Sequence, residues 1–186
     1  MKEKHMLSDS LSLISVSEKD QVDVLTLMQT IYPPVYEHLW EDGGLAYLKR
    51  IYGKPNFLRE LMVENTHYFR VYVQEIPGGI LRVLVDKECP DFPDRSAMKL
   101  QRIFLHPEIH GKGIGKKLMD WVVSQAIQEG KELLWLECMD SQQQALGFYE
   151  KMGFQKGGAS EFLSDKMKRE CRGMLRMWRE VPSVST

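Results

Sequence analysis

IFLHPEIHGKGIGKKLMDWVVSQAIQEG, residues 103–130, is the segment from which the rest of the chain can be read. It runs as a strand, a loop with glycine at alternate positions (Gly111, Gly113, Gly115), and an amphipathic helix that stops at Gly130. Glycine has no Cβ, so the backbone can approach a ligand closely. The first amides of the helix and its dipole also point positive character at whatever sits there. The loop from His110 through Lys112 and Ile114 to Lys116 therefore suits a phosphate or pyrophosphate. Lys112, Lys116 and Lys117 add positive charge, although each also reads as an ordinary solvated lysine. Two other phosphate loops fail on their residues. A GxxxxGK[ST] loop would need glycine in place of His110 and a hydroxyl residue in place of Lys117, and a GxGxxG loop starting at Gly111 would need glycine in place of Lys116.

Working outward, residues 98–105 form the strand feeding the loop, and alternation from His67 to Gln74 marks an earlier one. Pro77-Gly78-Gly79 reads as a turn into a strand over 80–85, and the Asp- and Pro-rich residues 86–95 as a loop. Further back lies a strand over 11–16. Ser17-Glu18-Lys19-Asp20 resembles a capping box and opens a helix whose apolar face is Val24, Leu27, Met28 and Ile31; Tyr32-Pro33-Pro34 stops it. A second helix spans about 45–52, and Asn56 caps a third. Beyond the loop come a strand over 133–138, a helix over 142–152 and closing strands over 154–162 and 173–181. The order implies one α/β domain over 1–186: a single central mixed, largely antiparallel sheet of about seven strands flanked by helices, after a flexible segment over 1–10.

Composition narrows the function classes. The chain has 186 residues, 43% of them apolar or aromatic, enough for one substantial core. With 25 Lys and Arg against 26 Asp and Glu, no global field draws it to nucleic acid or to an anionic membrane. No run approaches the roughly 18 apolar residues that a membrane span needs. Cys89, Cys138 and Cys171 are odd in number and lack a CxxC pair, so they read as bystanders in a reducing, cytoplasmic compartment, with no metal site.

The loop His110-x-x-Gly113-x-Gly115 resembles the Q/R-x-x-G-x-G/A signature of the GNAT acetyltransferases, with His110 where Gln or Arg is usual. WLECMDSQQQALGFYEKMGFQKGG is similar to the family's second half. This resemblance implies acetyl-CoA as co-substrate, held by the loop from His110 to Lys116, by the backbone of Ile103, Phe104 and Leu105, and by Gln142 where relatives place Asn. It also implies transfer of acetyl to a primary amine of a small molecule, with Tyr149 of FYEK as the general acid. On spacing alone, Tyr149 is a packing residue beside Ala145, Phe148 and Met152.

The general base is not fixed by the resemblance. Polyamine acetyltransferases carry Glu-Arg-Ile-Tyr where this chain has Gln101-Arg102-Ile103-Phe104, and Gln cannot accept a proton. Glu137 is the preferred substitute, a water chain its rival, and His106 and His38 are weaker candidates. YLKRIYGKPNFLRELM, LQRIF and ALGFYEKMGF resemble the bacterial spermidine/spermine acetyltransferases. Carboxylates for a polyamine could come from Asp86, Glu88, Asp91 and Asp94, or from Glu37, Glu41 and Asp42. A peptide or protein amine, and a regulatory module that binds acyl-CoA without turnover, are the alternatives. The closing strands could pair two copies into a homodimer.

Overall fold

A computed structural model describes residues 2–182 of the chain. Its centre is an eight-stranded sheet in the order β1-β2-β3-β4-β5-β6-β8-β7. The strands are β1 (Lys4–Ser8), β2 (Leu11–Ser15), β3 (Thr66–Val73), β4 (Ile76–Leu84), β5 (Ala97–Leu105), β6 (Leu133–Met139), β7 (Gln155–Glu161) and β8 (Gly173–Glu180). Among these strands only β5 and β6 run parallel; every other neighbouring pair is antiparallel. The mixed, largely antiparallel sheet is the expected one, with an eighth strand added. Residues 4–8, expected to be flexible, are that strand: Lys4 to Ser8 pair with β2 and close one edge of the sheet.

Helices cover both faces. On one lie α1 (Gln21–Ile31), the short α2 (Pro33–Tyr36), α3 (Leu45–Tyr52) and α4 (Lys54–Leu61), packed round Val24, Met28, Leu48, Tyr52 and Phe57. On the other, α5 (Ile114–Gln128) and α6 (Gln143–Lys151) bury Leu118, Met119, Val122 and Leu146 against Leu81, Leu100 and Leu136. Asp20 accepts from both the backbone and the hydroxyl of Ser17, so the capping-box reading holds, opening a 3-10 turn before α1. Pro33 and Pro34 end α1 and also start α2, because a proline in the first turn of a helix gives up no hydrogen bond.

Two local expectations are corrected. The third helix starts after Gly53, with Pro55 in its first turn, and the Asn56 amide instead reaches back to the Ile51 carbonyl. The hairpin between β3 and β4 turns at Gln74 and Glu75, both at positive φ, while Pro77, Gly78 and Gly79 belong to β4. Gly79 is needed there for closeness: a Cβ would lie 2.2 Å from the Phe104 carbonyl oxygen on β5.

Candidate active site

The site begins where β5 and β6 part. They pair only from Ala97–Leu133 to Lys99–Trp135, and beyond that β5 continues on β4 alone. Gln101 is an extra residue in β5, bulged between the Arg82–Arg102 and Val83–Leu100 pairs, and the bend that a bulge brings helps turn the strand away from β6. The edge of Ile103, Phe104 and Leu105 that faces the gap therefore has no strand partner. Lys99 pins the apex. Its ammonium stands 2.6 Å from Glu137 Oε2 and 4.3 Å from the centre of the Trp135 ring.

The glycine loop lies at the end of β5. Gly111 and Gly113 have φ of 72° and 75°, the left-handed region that glycine occupies without strain, and a Cβ on either would meet nothing within 4 Å. Among the described residues, no amide from Gly111 to Lys116 donates to a backbone carbonyl; the first to do so is Lys117, bonded to Gly113. A run of free amides at the start of a 15-residue helix is an anion site built from backbone. Lys116 is drawn off to Asp120. His110 Nε2 lies 3.0 Å from the Leu105 carbonyl oxygen, so its side chain ties the loop to β5 and need not face a ligand.

Two cavities meet in the gap. One, of about 400 Å³, is lined by Ile103, Phe104, Leu105, His110, the loop glycines and Lys116. The other, of about 410 Å³, is lined by Tyr47, Arg50, Arg59, Glu137, Cys138 and Phe162, among others. Tyr36, Phe104, Gln142 and Tyr149 border both. Gln142 immediately precedes α6, and its side chain makes no capping bond.

Tyr149 sits on α6 with its ring against Phe148 and Phe154. Burial pushes its phenol well above the ordinary range, and the neighbouring Cys138 and Tyr36 push it further. The same burial raises Tyr36, and holds the Cys138 thiol at about 11, with Asp140 adding to it. Tyr149 and Tyr36 at the junction, and Cys138 in the adjoining cavity, are thus acids that keep their protons.

The structure brings together Tyr149, Glu137, Gln142, Ile103 and Phe104, with the glycine loop and Leu105 in the adjoining cavity. It does not bring in the histidine candidates. His106 Nδ1 accepts from the Glu108 amide, and neither it nor His38 lines a cavity. Nor do the acidic residues considered for a polyamine. Asp86 pairs with Lys131 and Asp91 with Arg176, Asp42 caps the start of α3, and Glu37, Glu41, Glu88 and Asp94 lie outside both linings. Tyr36, Cys138, Arg50, Arg59 and Phe162 are members of the site that the sequence reading missed. The segment around Glu37 was the right neighbourhood, and the aromatic Tyr36 beside it was the available signal.

A family model described as the Acetyltransferase (GNAT) family matches residues 26–154. The chain belongs to this family. This acetyltransferase is 20% identical over 144 residues, 77% of its own length and 83% of the other's, to a protein of Lactobacillus delbrueckii subsp. lactis named as an uncharacterized N-acetyltransferase. Among solved structures, a spermidine N-acetyltransferase from Vibrio cholerae in complex with CoA and spermine superposes with a TM-score of 0.66, 15% identity, and coverage of 94% of this chain and 97% of that one. A Salmonella typhimurium acetyltransferase that modifies the N-terminal serine of ribosomal protein L7/L12 gives 0.70, 13%, 97% and 100%. The acetyltransferase takes acetyl-CoA as co-substrate, and the free amides from Gly111 to Lys116, open on the side where a Cβ would be, fit its pyrophosphate. Among the described residues no group of three His, Cys, Asp or Glu could hold a metal, and no helix is long and apolar enough to cross a membrane.

Proposed function

We propose that the chain acetylates a primary amine of a small molecule, with Tyr149 as general acid and Glu137 as general base. The observation that carries this reading is the meeting of the two cavities at Tyr149, one of them ending in the run of unbonded amides. Acetyl-CoA supplies an acyl group on a good leaving thiolate. The loop amides hold the pyrophosphate, and the unpaired edge of Ile103 to Leu105 receives the arm. A backbone donor there, aimed at the carbonyl oxygen, can contribute about 3 kcal/mol. Gln142, free at the entrance to α6, helps hold the arm.

Two protons must move. The amine must lose one, and Glu137 stands in the acceptor cavity with Oε2 on Lys99 and Oε1 available to take it. The departing thiolate must gain one, and the Tyr149 phenol, kept protonated by burial, is placed to donate it. Water then carries the proton from Glu137 back to Tyr149. A reducing, cytoplasmic setting belongs to the same proposal and agrees with three free cysteines, as does pairing of two copies through β7, an outer strand of the sheet.

The Vibrio relative's spermine complex supports a polyamine acceptor, and the Salmonella relative supports a protein N-terminus. The charge of the acceptor cavity weighs against the first, since the carboxylates available for a polyamine lie elsewhere. The test is to mix protein, acetyl-CoA and a panel of amines, amino acids, polyamines, aminoglycosides and peptides, and to follow free thiol. Amine-dependent release is expected; coenzyme binding without release for any amine would sink the proposal.

A further inference from the structure

We propose that the acceptor carries a carboxylate as well as its amine: an amino-acid-like molecule whose acid end is held by Arg50 and Arg59 while its amine reaches Glu137 and Tyr149. This rests on the acetyltransferase reading above and names the substrate class for the same site.

The charges lining the acceptor cavity are one-sided. Among the described residues, Arg50, Arg59, Lys99 and Arg102 contribute cations to the lining, and Glu137 is the one carboxylate. Two of the cations are already used. Lys99 is paired with Glu137, and Arg102 binds both oxygens of Glu60, at 2.6 and 2.7 Å. Arg82 leans on the same Glu60 at 3.4 Å, so that buried group still holds two guanidiniums against one carboxylate. Arg50 and Arg59 make no salt bridge among the described residues, yet both are held in place. The Arg50 guanidinium lies 5.8 Å from the centre of the Phe162 ring, and Arg59 donates to the Asn56 side chain. Each keeps donors free, in the planar geometry that matches a carboxylate.

Both arginines are solvent-exposed, on α3 and α4 at the cavity mouth, whereas Tyr149 stands at the junction with the coenzyme cavity. An acceptor placed by both ends therefore has its acid outward and its amine inward. The Tyr32, Trp40, Tyr47 and Phe162 rings in the same lining give the wall an apolar, aromatic character suited to the body of such a molecule. A polyamine would bring only positive charge to this lining, and like charges brought together in a partly dry cavity repel.

Matched triples of acceptors test this. Each triple shares an amine and an apolar body, such as an aminomethylphenyl group, and ends in a carboxylate, a carboxamide or an ammonium. The carboxylate member is expected to exceed the carboxamide in kcat/KM by about tenfold or more, with the ammonium member lowest. The double variant Arg50→Gln/Arg59→Gln, which alters two exposed side chains, is expected to raise KM for the carboxylate with little change in kcat and to erase the preference. Added salt should shrink the preference in the native protein. A preference for the ammonium member, or one for carboxylate that the double variant retains, overturns the inference. If no amine is turned over, the acetyltransferase reading fails by itself. The acceptor inference is then decided by calorimetry on the CoA-loaded protein with the N-acetylated carboxylate and carboxamide. Tighter carboxylate binding that the double variant loses upholds it, and equal binding overturns it.

Discussion

As the proposed general acid, Tyr149 has to keep a proton and release it only to a departing thiolate, and its surroundings secure the first task. Burial raises its phenol, and Cys138 and Tyr36, which could themselves become anions, raise it further. Tyr149 therefore stays a donor at every pH where an amine becomes nucleophilic. Two outcomes are expected. Replacing Tyr149 with Phe lowers kcat by about a hundredfold or more while the coenzyme dissociation constant stays put, as thiol release and calorimetry would report. In the native enzyme, kcat rises with pH as the amine loses its proton and shows no alkaline decline below about pH 10, the ordinary phenol range that Tyr149 exceeds. A fall in rate centred well below that would mean that another group supplies the proton. Tyr149 was legible in the sequence because FYEKMGF is contiguous and carried by one helix. Cys138 was not, because a single cysteine in a strand has no pattern, although its thiol borders the same cavity. Arg50 and Arg59 lie on separate helices, α3 and α4, and only the fold brings both to one cavity.

At the scale of elements, the site depends on a helix, α4, that lines no part of the glycine-loop cavity. α4 carries Glu60 into the layer beneath β4 and β5, where Arg102 binds it through both nitrogens and Arg82 adds a third contact. Arg102 is the residue next to the Gln101 bulge, so this pair fixes the part of β5 that turns from β6. Burial by itself would raise the Glu60 carboxyl; the hydrogen bonds and charge of Arg102, with the charge of Arg82, overcome it and hold the carboxyl below its usual value. A folded value below the unfolded one means that the stabilisation is complete above the unfolded pKa, near 4.5, and is lost as pH falls through the folded value. Glu60→Gln leaves two guanidiniums without a counter-charge and is expected to cost about 3–5 kcal/mol near neutrality. Denaturant titrations at descending pH should bring the two proteins together, and a gap constant down to strongly acidic pH would mean that the ion pair is not its source. The helices and most strands could be read from apolar spacing and caps. The β3–β4 turn could not, because Gln74 and Glu75 are poor residues for positive φ and the pairing of the strands overrides that preference. β1 escaped notice because Lys4 to Ser8 hold only two apolar residues, Met6 and Leu7, and the strand makes sense only beside β2.

Over the whole molecule, the two halves of the site differ in how much of each could be read. The coenzyme cavity is mostly contiguous chain, β5 through the start of α5, joined by α6, and its backbone cradle follows from glycine spacing. The acceptor cavity takes walls from α3, α4, β6 and the segment near Phe162, so its charge emerges only when the sheet has placed them together. Coenzyme bound in the gap would bridge β5, α5 and α6, parts of the protein that unfold together if the domain is cooperative, and a ligand that binds only the folded chain stabilises it by mass action. At a hundred times its dissociation constant, CoA should add about 2.7 kcal/mol. For a chain of this size each kcal/mol moves Tm by about 2–4 °C, so a rise of about 5–11 °C is expected in a thermal scan. Gly113→Ala separates the cradle from general binding. It forces a Cβ onto a residue at φ 75°, where nothing crowds it, so the cost of about 1–2 kcal/mol comes from the backbone alone. Relieving that strain means changing φ at Gly113, which reorients the neighbouring amides of the cradle. The variant should therefore melt a few degrees lower without CoA and gain less from the same CoA concentration. An equal gain in both proteins would show that the amides from Gly111 to Lys116 do not hold the pyrophosphate.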